Sequence, residues 1–105
     1  MQKKTKLIIY NISSGASSKP IEGWSAYCST KSATKMMLDV ISLENSNVLV
    51  HHHDPGMVDT NMQKKIRSTN KYKMKNVAFF REAKLTEPED AAKKIVADVC
   101  QLLNF

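Results

Sequence analysis

Three spacings of apolar residues divide this chain. Residues 6–12, KLIIYNI, form a short β-branched run closed by the turn formers SSGASSKP, which predicts a parallel-type strand buried on both faces. From Ser25 to about Leu43, the positions Ala26, Thr30, Ala33, Met37, Val40 and Ile41 recur at three- and four-residue spacing. That period predicts a long helix with one buried stripe. After ENSN, the residues Val48, Val50 and His52 alternate with Leu49, His51 and His53 until DPG stops the run, the pattern of a second strand. Strand, helix and strand in this order make a βαβ unit, which places functional groups beyond the carboxyl ends of its strands. Both SSG and DPGMVDT fall at those ends.

The pattern weakens over residues 61–84. A short helical piece near NMQKKI, a basic polar run RSTNKYKMKN and then VAFFREAK predict an excursion outside the core. A final helix is better marked. Thr86 and Glu89 have capping-box spacing, in which the threonine oxygen takes a first-turn N–H and the glutamate reaches back to the cap. Pro88 fits the first turn, where its missing N–H costs little, and Ala92, Ile95, Val96, Val99, Leu102 and Leu103 supply an apolar stripe. There is no internal repeat. The expected class is α/β, one small domain.

Composition changes this picture little. The 105 residues are 42% hydrophobic and 25% charged, ordinary soluble composition. Sixteen basic side chains against ten acidic ones give a formal charge of +6, which attracts phosphate-bearing partners without specifying one. Cys28 and Cys100 are far apart and fit neither a metal-ligand spacing nor a disulfide framework, so a reducing, cytoplasmic setting is expected. The apolar run after the basic start is too short for a signal peptide, and no stretch approaches the roughly 18 apolar residues of a membrane span. A soluble protein with no membrane partner is the expectation.

The chemistry concentrates in WSAYCSTKSA, residues 24–33. Tyr27 and Lys31 stand at i and i+4, so on a helix their side chains share a face one turn apart. An ammonium held near a phenol favours the phenolate, which suits a proton donor to a carbonyl oxygen. The pair alone is a weak pattern, more often a core tyrosine beside a solvated lysine. Ser14 lies 13 residues before Tyr27, and PGMVDT follows the second strand.

Together NISSG, YCSTK and PGMVDT resemble the short-chain dehydrogenase/reductase family, NAD(P)-dependent oxidoreductases on a Rossmann fold. The longer wording ISSGASSKPIEGWSAYCSTKSA with PGMVDTNMQ is most similar to the benzil-reductase and sepiapterin-reductase branches, which use NADPH. The resemblance implies that Ser14 hydrogen-bonds a substrate carbonyl, that Tyr27 protonates it as hydride arrives, and that Lys31 binds the nicotinamide ribose and eases proton loss from Tyr27. It also implies that Pro55 and Gly56 pass beside the nicotinamide, that Met57 and Val58 approach it through backbone groups, and that Thr60 hydrogen-bonds its carboxamide. Ser13 is the alternative hydroxyl. For Thr60 the alternative is a helix cap alone. The implied division is a catalytic βαβ unit at 1–60, a substrate-covering segment at 61–84 and a C-terminal helix at 85–105. The implied cofactor is NADP(H) or NAD(H), with NADP(H) favoured, and the implied substrate is a small carbonyl compound.

Three family features are missing from these residues. Gly15, Gly23 and Gly56 are too scattered to form the glycine-rich turn that seats a dinucleotide pyrophosphate, and neither the mid-sheet NNAG motif nor the family's catalytic asparagine occurs. The expectation is therefore a partial Rossmann fold without the N-terminal dinucleotide-binding half. On its own such a chain is expected to bind NAD(P)H weakly and reduce little, and to need a complementing N-terminal half or a homo-oligomeric partner.

Other features carry weaker readings. On a strand His51 and His53 face one way and His52 the other, which argues against a metal site and leaves either relaxed constraint or a core adjusted around one satisfied histidine. The run from Lys64 to Lys75 holds six basic residues, no acid and the interleaved Tyr72. Polyanion or partner binding by a non-catalytic remnant is therefore the runner-up to an enzyme, although no RNA-binding motif accompanies it and nucleic acid is disfavoured. Phe79 and Phe80 either wall a substrate pocket or join the core. Cys28 is a small packing residue.

Overall fold

The computed structural model describes residues 7–69 and 76–103. The part of the basic run from Lys71 to Lys75, with Tyr72, lies outside the described residues. The chain divides into two compact units, the division falling between Asp54 and Pro55.

In the first unit, strand β1 (Leu7–Ile12) leads through a 3₁₀ turn (Gly15–Ser17) to helix α1 (Ser25–Glu44) and strand β2 (Val48–His53). The strands pair in parallel, with Leu7 opposite Val48 and Ile12 opposite His53, so the expected βαβ unit is present. The turn formers that follow each strand mark where it ends. Ser14 caps the 3₁₀ turn, its Oγ accepting from the Ala16 N–H at 3.2 Å. Gly23, just before α1, has φ +84°, a left-handed conformation that glycine adopts without cost.

The expected burial does not follow. No residue of α1 is buried, and Met37 and Val40 of the anticipated stripe are 55% and 42% exposed. Neither strand is buried on both faces; every described position of β1 is half-buried or exposed. The reason is geometric. A 20-residue helix is about 30 Å long, whereas six-residue strands reach about 20 Å and two of them stand about 5 Å apart, so the sheet covers only part of the helix. Contacts along α1 are correspondingly polar. Ser42 Oγ donates to the Val48 carbonyl at 3.3 Å, and Ser32 Oγ donates to the Ser17 carbonyl at 2.8 Å.

The second unit holds α2 (Asn61–Ser68), α3 (Val77–Glu82) and α4 (Pro88–Leu102). Residues 61–84, expected to run outside the core, instead supply most of the buried apolar side chains: Ile66, Val77 and Phe80. Gln63 and Ile66 on α2, like Val77 and Phe80 on α3, are three apart and share a helix face. Short helices hide such pairs, because eight and six residues give too few repeats to show a period. Arginines tie α2 to α3. Arg81 donates from Nε to the Arg67 carbonyl at 2.8 Å and from a terminal nitrogen to the Thr69 carbonyl at 2.7 Å, while Arg67 donates to the Ala83 carbonyl.

The capping box at Thr86 does not form. Glu87 is the N-cap of α4, without a side-chain cap bond, and Pro88 opens the helix. A proline excludes helical backbone from the residue before it, so Glu87 must be extended and the boundary moves one residue on. Thr86 is engaged elsewhere: its N–H donates to the Met57 carbonyl and its own carbonyl accepts from the Asp59 N–H, both at 2.8 Å. The apolar stripe of α4 is only half-covered, with Ile95, Val99 and Leu102 partly buried and Val96 exposed.

Candidate functional site

Ser14, Tyr27 and Lys31 all lie in the first unit. The strand β1 ends at Ile12, and the backbone N–H of Ser13 donates to the His53 carbonyl at 2.7 Å, which holds the start of the serine loop to the end of β2. Ser14 then turns the chain as the 3₁₀ cap. Accepting the Ala16 N–H engages its oxygen lone pair, and the hydroxyl proton remains a possible donor. A Cβ added at Gly15 would stand 3.6 Å from an Asp54 carboxylate oxygen, ordinary contact, so glycine is not forced there by space.

Tyr27 and Lys31 occupy adjacent turns of α1 as the spacing requires. The Lys31 ammonium lies 5.7 Å from the centroid of the Tyr27 ring and donates to the Ile12 carbonyl at 3.4 Å. One cation thus links the phenol-bearing helix to the carboxyl end of β1. Trp24 packs edge-on against Tyr27, with centroids 5.3 Å apart and planes at 88°, restricting the ring from the N-terminal side. A shallow cleft of about 360 Å³ opens between the 3₁₀ turn and α1, lined by Ser17, Ser18, Lys19, Cys28, Ser29 and Ser32 among others. Neither Tyr27 nor Lys31 lines it. The Cys28 thiol points there, toward the Lys19 carbonyl at 3.9 Å.

Pro55, Gly56, Met57, Val58 and Thr60 belong to the second unit. Gly56 has φ +73° and nothing within 4 Å of an added Cβ, so backbone conformation rather than crowding calls for glycine. Met57, Val58 and Asp59 are held to Thr86 by the paired backbone bonds described above and a parallel bridge at Val58. Thr60 caps α2, accepting the Gln63 N–H at 3.5 Å. The cap uses the oxygen as acceptor, so the hydroxyl proton stays available to a ligand carbonyl.

The structure also assembles a cluster that motif reading passed over. On the α1-facing side of the sheet, His52 Nε2 stands 2.6 Å from Asp39 Oδ1, and Asn11 Nδ2 stands 3.0 Å from His52 Nδ1. An Asn11 amide donating to Nδ1 and an imidazole Nε2–H donating to the carboxylate satisfy both ring nitrogens. Lys35 bridges to the other Asp39 oxygen at 3.2 Å. The hydrogen bond from His52 and then that from Lys35 hold the Asp39 carboxyl below its ordinary range. On the opposite side, Tyr10 stacks with His51 at 5.1 Å and tilts against His53 at 5.7 Å. The three histidines therefore diverge as alternation demands, and no three metal-binding side chains converge among the described residues. Phe80 is buried and joins the core, whereas Phe79 is 63% exposed. No helix among the described residues is long and apolar enough to cross a membrane.

The fold and these motifs have counterparts. The short chain dehydrogenase family pattern matches residues 1–71. Benzil reductase ((S)-benzoin forming) of Bacillus cereus is 41% identical over 95 residues, a match covering 83% of this chain and 38% of that protein. Sepiapterin reductase of Rattus norvegicus is 40% identical over 62 residues, 59% of this chain and 24% of that protein. The crystal structure of the KRED1-Pglu enzyme superposes with a TM-score of 0.74 at 32% identity, covering 80% of this chain and 38% of that one. The chain thus spans well under half the length of these relatives. With its parallel βαβ unit and a family match over more than half its residues, the chain belongs to the short-chain dehydrogenase/reductase family and carries part of that Rossmann fold.

Proposed function

We propose that this chain carries the proton-transfer half of an NAD(P)H-dependent carbonyl reductase acting on a ketone or dicarbonyl. The observation that carries the reading is the single cation at Lys31, set over the Tyr27 ring and anchored on the Ile12 carbonyl. Tyr27 donates its phenolic proton to the carbonyl oxygen, and Ser14, whose cap leaves its O–H to donate, steadies the same oxygen. Lys31, held beside the Tyr27 ring, is the cation that would bind the nicotinamide ribose. When bound, NAD(P)H supplies a hydride to the carbonyl carbon. Within the second unit, Gly56 would admit close backbone approach of a nicotinamide, and the Thr60 hydroxyl would be a partner for its carboxamide. The residues here do not fit the cofactor's pyrophosphate, for which these 105 residues offer no glycine-rich turn. NADP(H) over NAD(H) rests on the likeness to NADPH-using branches, and a cytoplasmic setting rests on the two free cysteines.

The test joins this chain behind the segment that precedes the matched region in the Bacillus cereus benzil reductase. The joined protein is expected to oxidise NADPH in the presence of a diketone, and the 105-residue chain alone is expected not to. In the joined protein Ser14→Ala should lower turnover at least tenfold and Ser13→Ala should not. A joined, folded protein with no diketone-dependent oxidation, or equal effects of the two serine substitutions, counts against the reading.

A further inference from the structure

No fully buried side chain pins α1 along the sheet: Leu38 and Ile41 are only half-buried, and Met36, Met37, Val40 and Leu43 are exposed. Polar contacts do so instead. Lys31, Lys35 and Asp39 follow one another at i, i+4, forming a ridge on one helix face, with Ser42 three residues beyond. Three of these reach the strands at three levels: Ser42 to the Val48 carbonyl at the start of β2, Asp39 to His52 near its end, and Lys31 to the Ile12 carbonyl at the end of β1. The Asp39–His52 contact is the shortest of the three at 2.6 Å and the only one between two side chains. Its imidazole is 19% exposed, the carboxylate 43%. His52 is fixed in turn by Asn11, its direct neighbour across the β1–β2 ladder. The ring thus connects both strands to the helix that carries Tyr27 and Lys31.

We propose that Asp39 and His52, backed by Asn11, form the positioning latch that sets where Tyr27 and Lys31 stand relative to the end of β1. Asp39 and His52 touch no reacting atom; they act through the register of α1. The catalytic part of this inference rests on the function proposed above, whereas the latch itself is a property of this chain. A helix slipped by one residue moves its side chains about 1.5 Å along the axis, and displacements near 1 Å at a reacting group cost roughly 100-fold in rate. Asp39→Asn keeps an oxygen acceptor for the imidazole Nε2–H and should hold the register; Asp39→Ala removes it.

Nuclear magnetic resonance of the ¹⁵N-labelled 105-residue chain tests the latch without cofactor. The His52 ring is expected in a single Nε2–H tautomer, with contacts between Lys31 side-chain protons and Tyr27 ring protons. Asp39→Ala should return His52 to a tautomer mixture and weaken the Lys31–Tyr27 contacts, and Asp39→Asn should preserve both. A tautomer mixture in the unmodified chain overturns the proposal, and that readout stands even if the alanine variant does not fold. Unchanged Lys31–Tyr27 contacts in a folded Asp39→Ala variant also overturn it. In the joined protein Asp39→Ala should lower kcat roughly tenfold with KM for diketone within about twofold, Asp39→Asn restoring most of the rate. An unchanged kcat in Asp39→Ala overturns the catalytic part. A joined protein inactive in every form sinks the proposed function, leaving the latch to be judged by the spectra.

Discussion

At Lys31 one ammonium serves two acceptors of different kinds, a ring face and the last carbonyl of β1. Asp39, two turns further along α1, is held by His52 and Lys35, which favour its ionised form. A carboxyl whose folded pKa is depressed contributes stability that is present above its unfolded value and lost as pH falls through the folded one. The thermal midpoint of the chain relative to Asp39→Asn should therefore show an advantage above about pH 4 that disappears as acid titrates Asp39. Thermal melts at a series of pH values check this, and an advantage that persists unchanged to the lowest pH contradicts it. Tyr27 and Lys31 were legible because i, i+4 spacing between two chemically distinctive residues survives in sequence. The His52 partner of Asp39 was not, because His52 and the Asn11 behind it come from two strands whose register nothing local encodes.

Elements were easier to place than their burial. Turn formers and Pro88 mark where segments end, but whether a helix face is covered depends on how much sheet lies against it, and two six-residue strands cover little of a 20-residue helix. The cap of α4 moved to Glu87 for a local reason that was present in the sequence, the constraint that Pro88 places on its predecessor. At the start of α2 the Thr60 cap matters energetically: Thr60→Ala should destabilise by about 1 kcal/mol, measured by urea denaturation. At the adjoining turn, Gly56→Ala places an L side chain at φ +73° and should cost about 1–2 kcal/mol through backbone strain alone, since an added Cβ meets nothing within 4 Å. A neutral Gly56→Ala would show that this turn relaxes freely.

Across the whole molecule only Ala16, Ile66, Val77 and Phe80 are buried apolar residues among those described, while Leu7, Met36, Met37, Leu43 and Val96 lie at least half exposed. Removing one of so few core groups should be severe: Phe80→Ala is expected to cost about 3 kcal/mol, against less than about 1 kcal/mol for its exposed neighbour Phe79→Ala, both read from denaturant midpoints. The family was legible from three short motifs. The buried cluster of Ile66, Val77 and Phe80 was not, because its members sit on two short helices whose pairing is decided in space. The proposed role of this chain as the proton donor of a carbonyl reductase stands or falls on diketone-dependent NADPH oxidation by the joined protein with and without Tyr27→Phe. A loss of at least about 100-fold in kcat, with folding intact by circular dichroism, is the predicted result; a phenylalanine variant that turns over at the unmodified rate contradicts it.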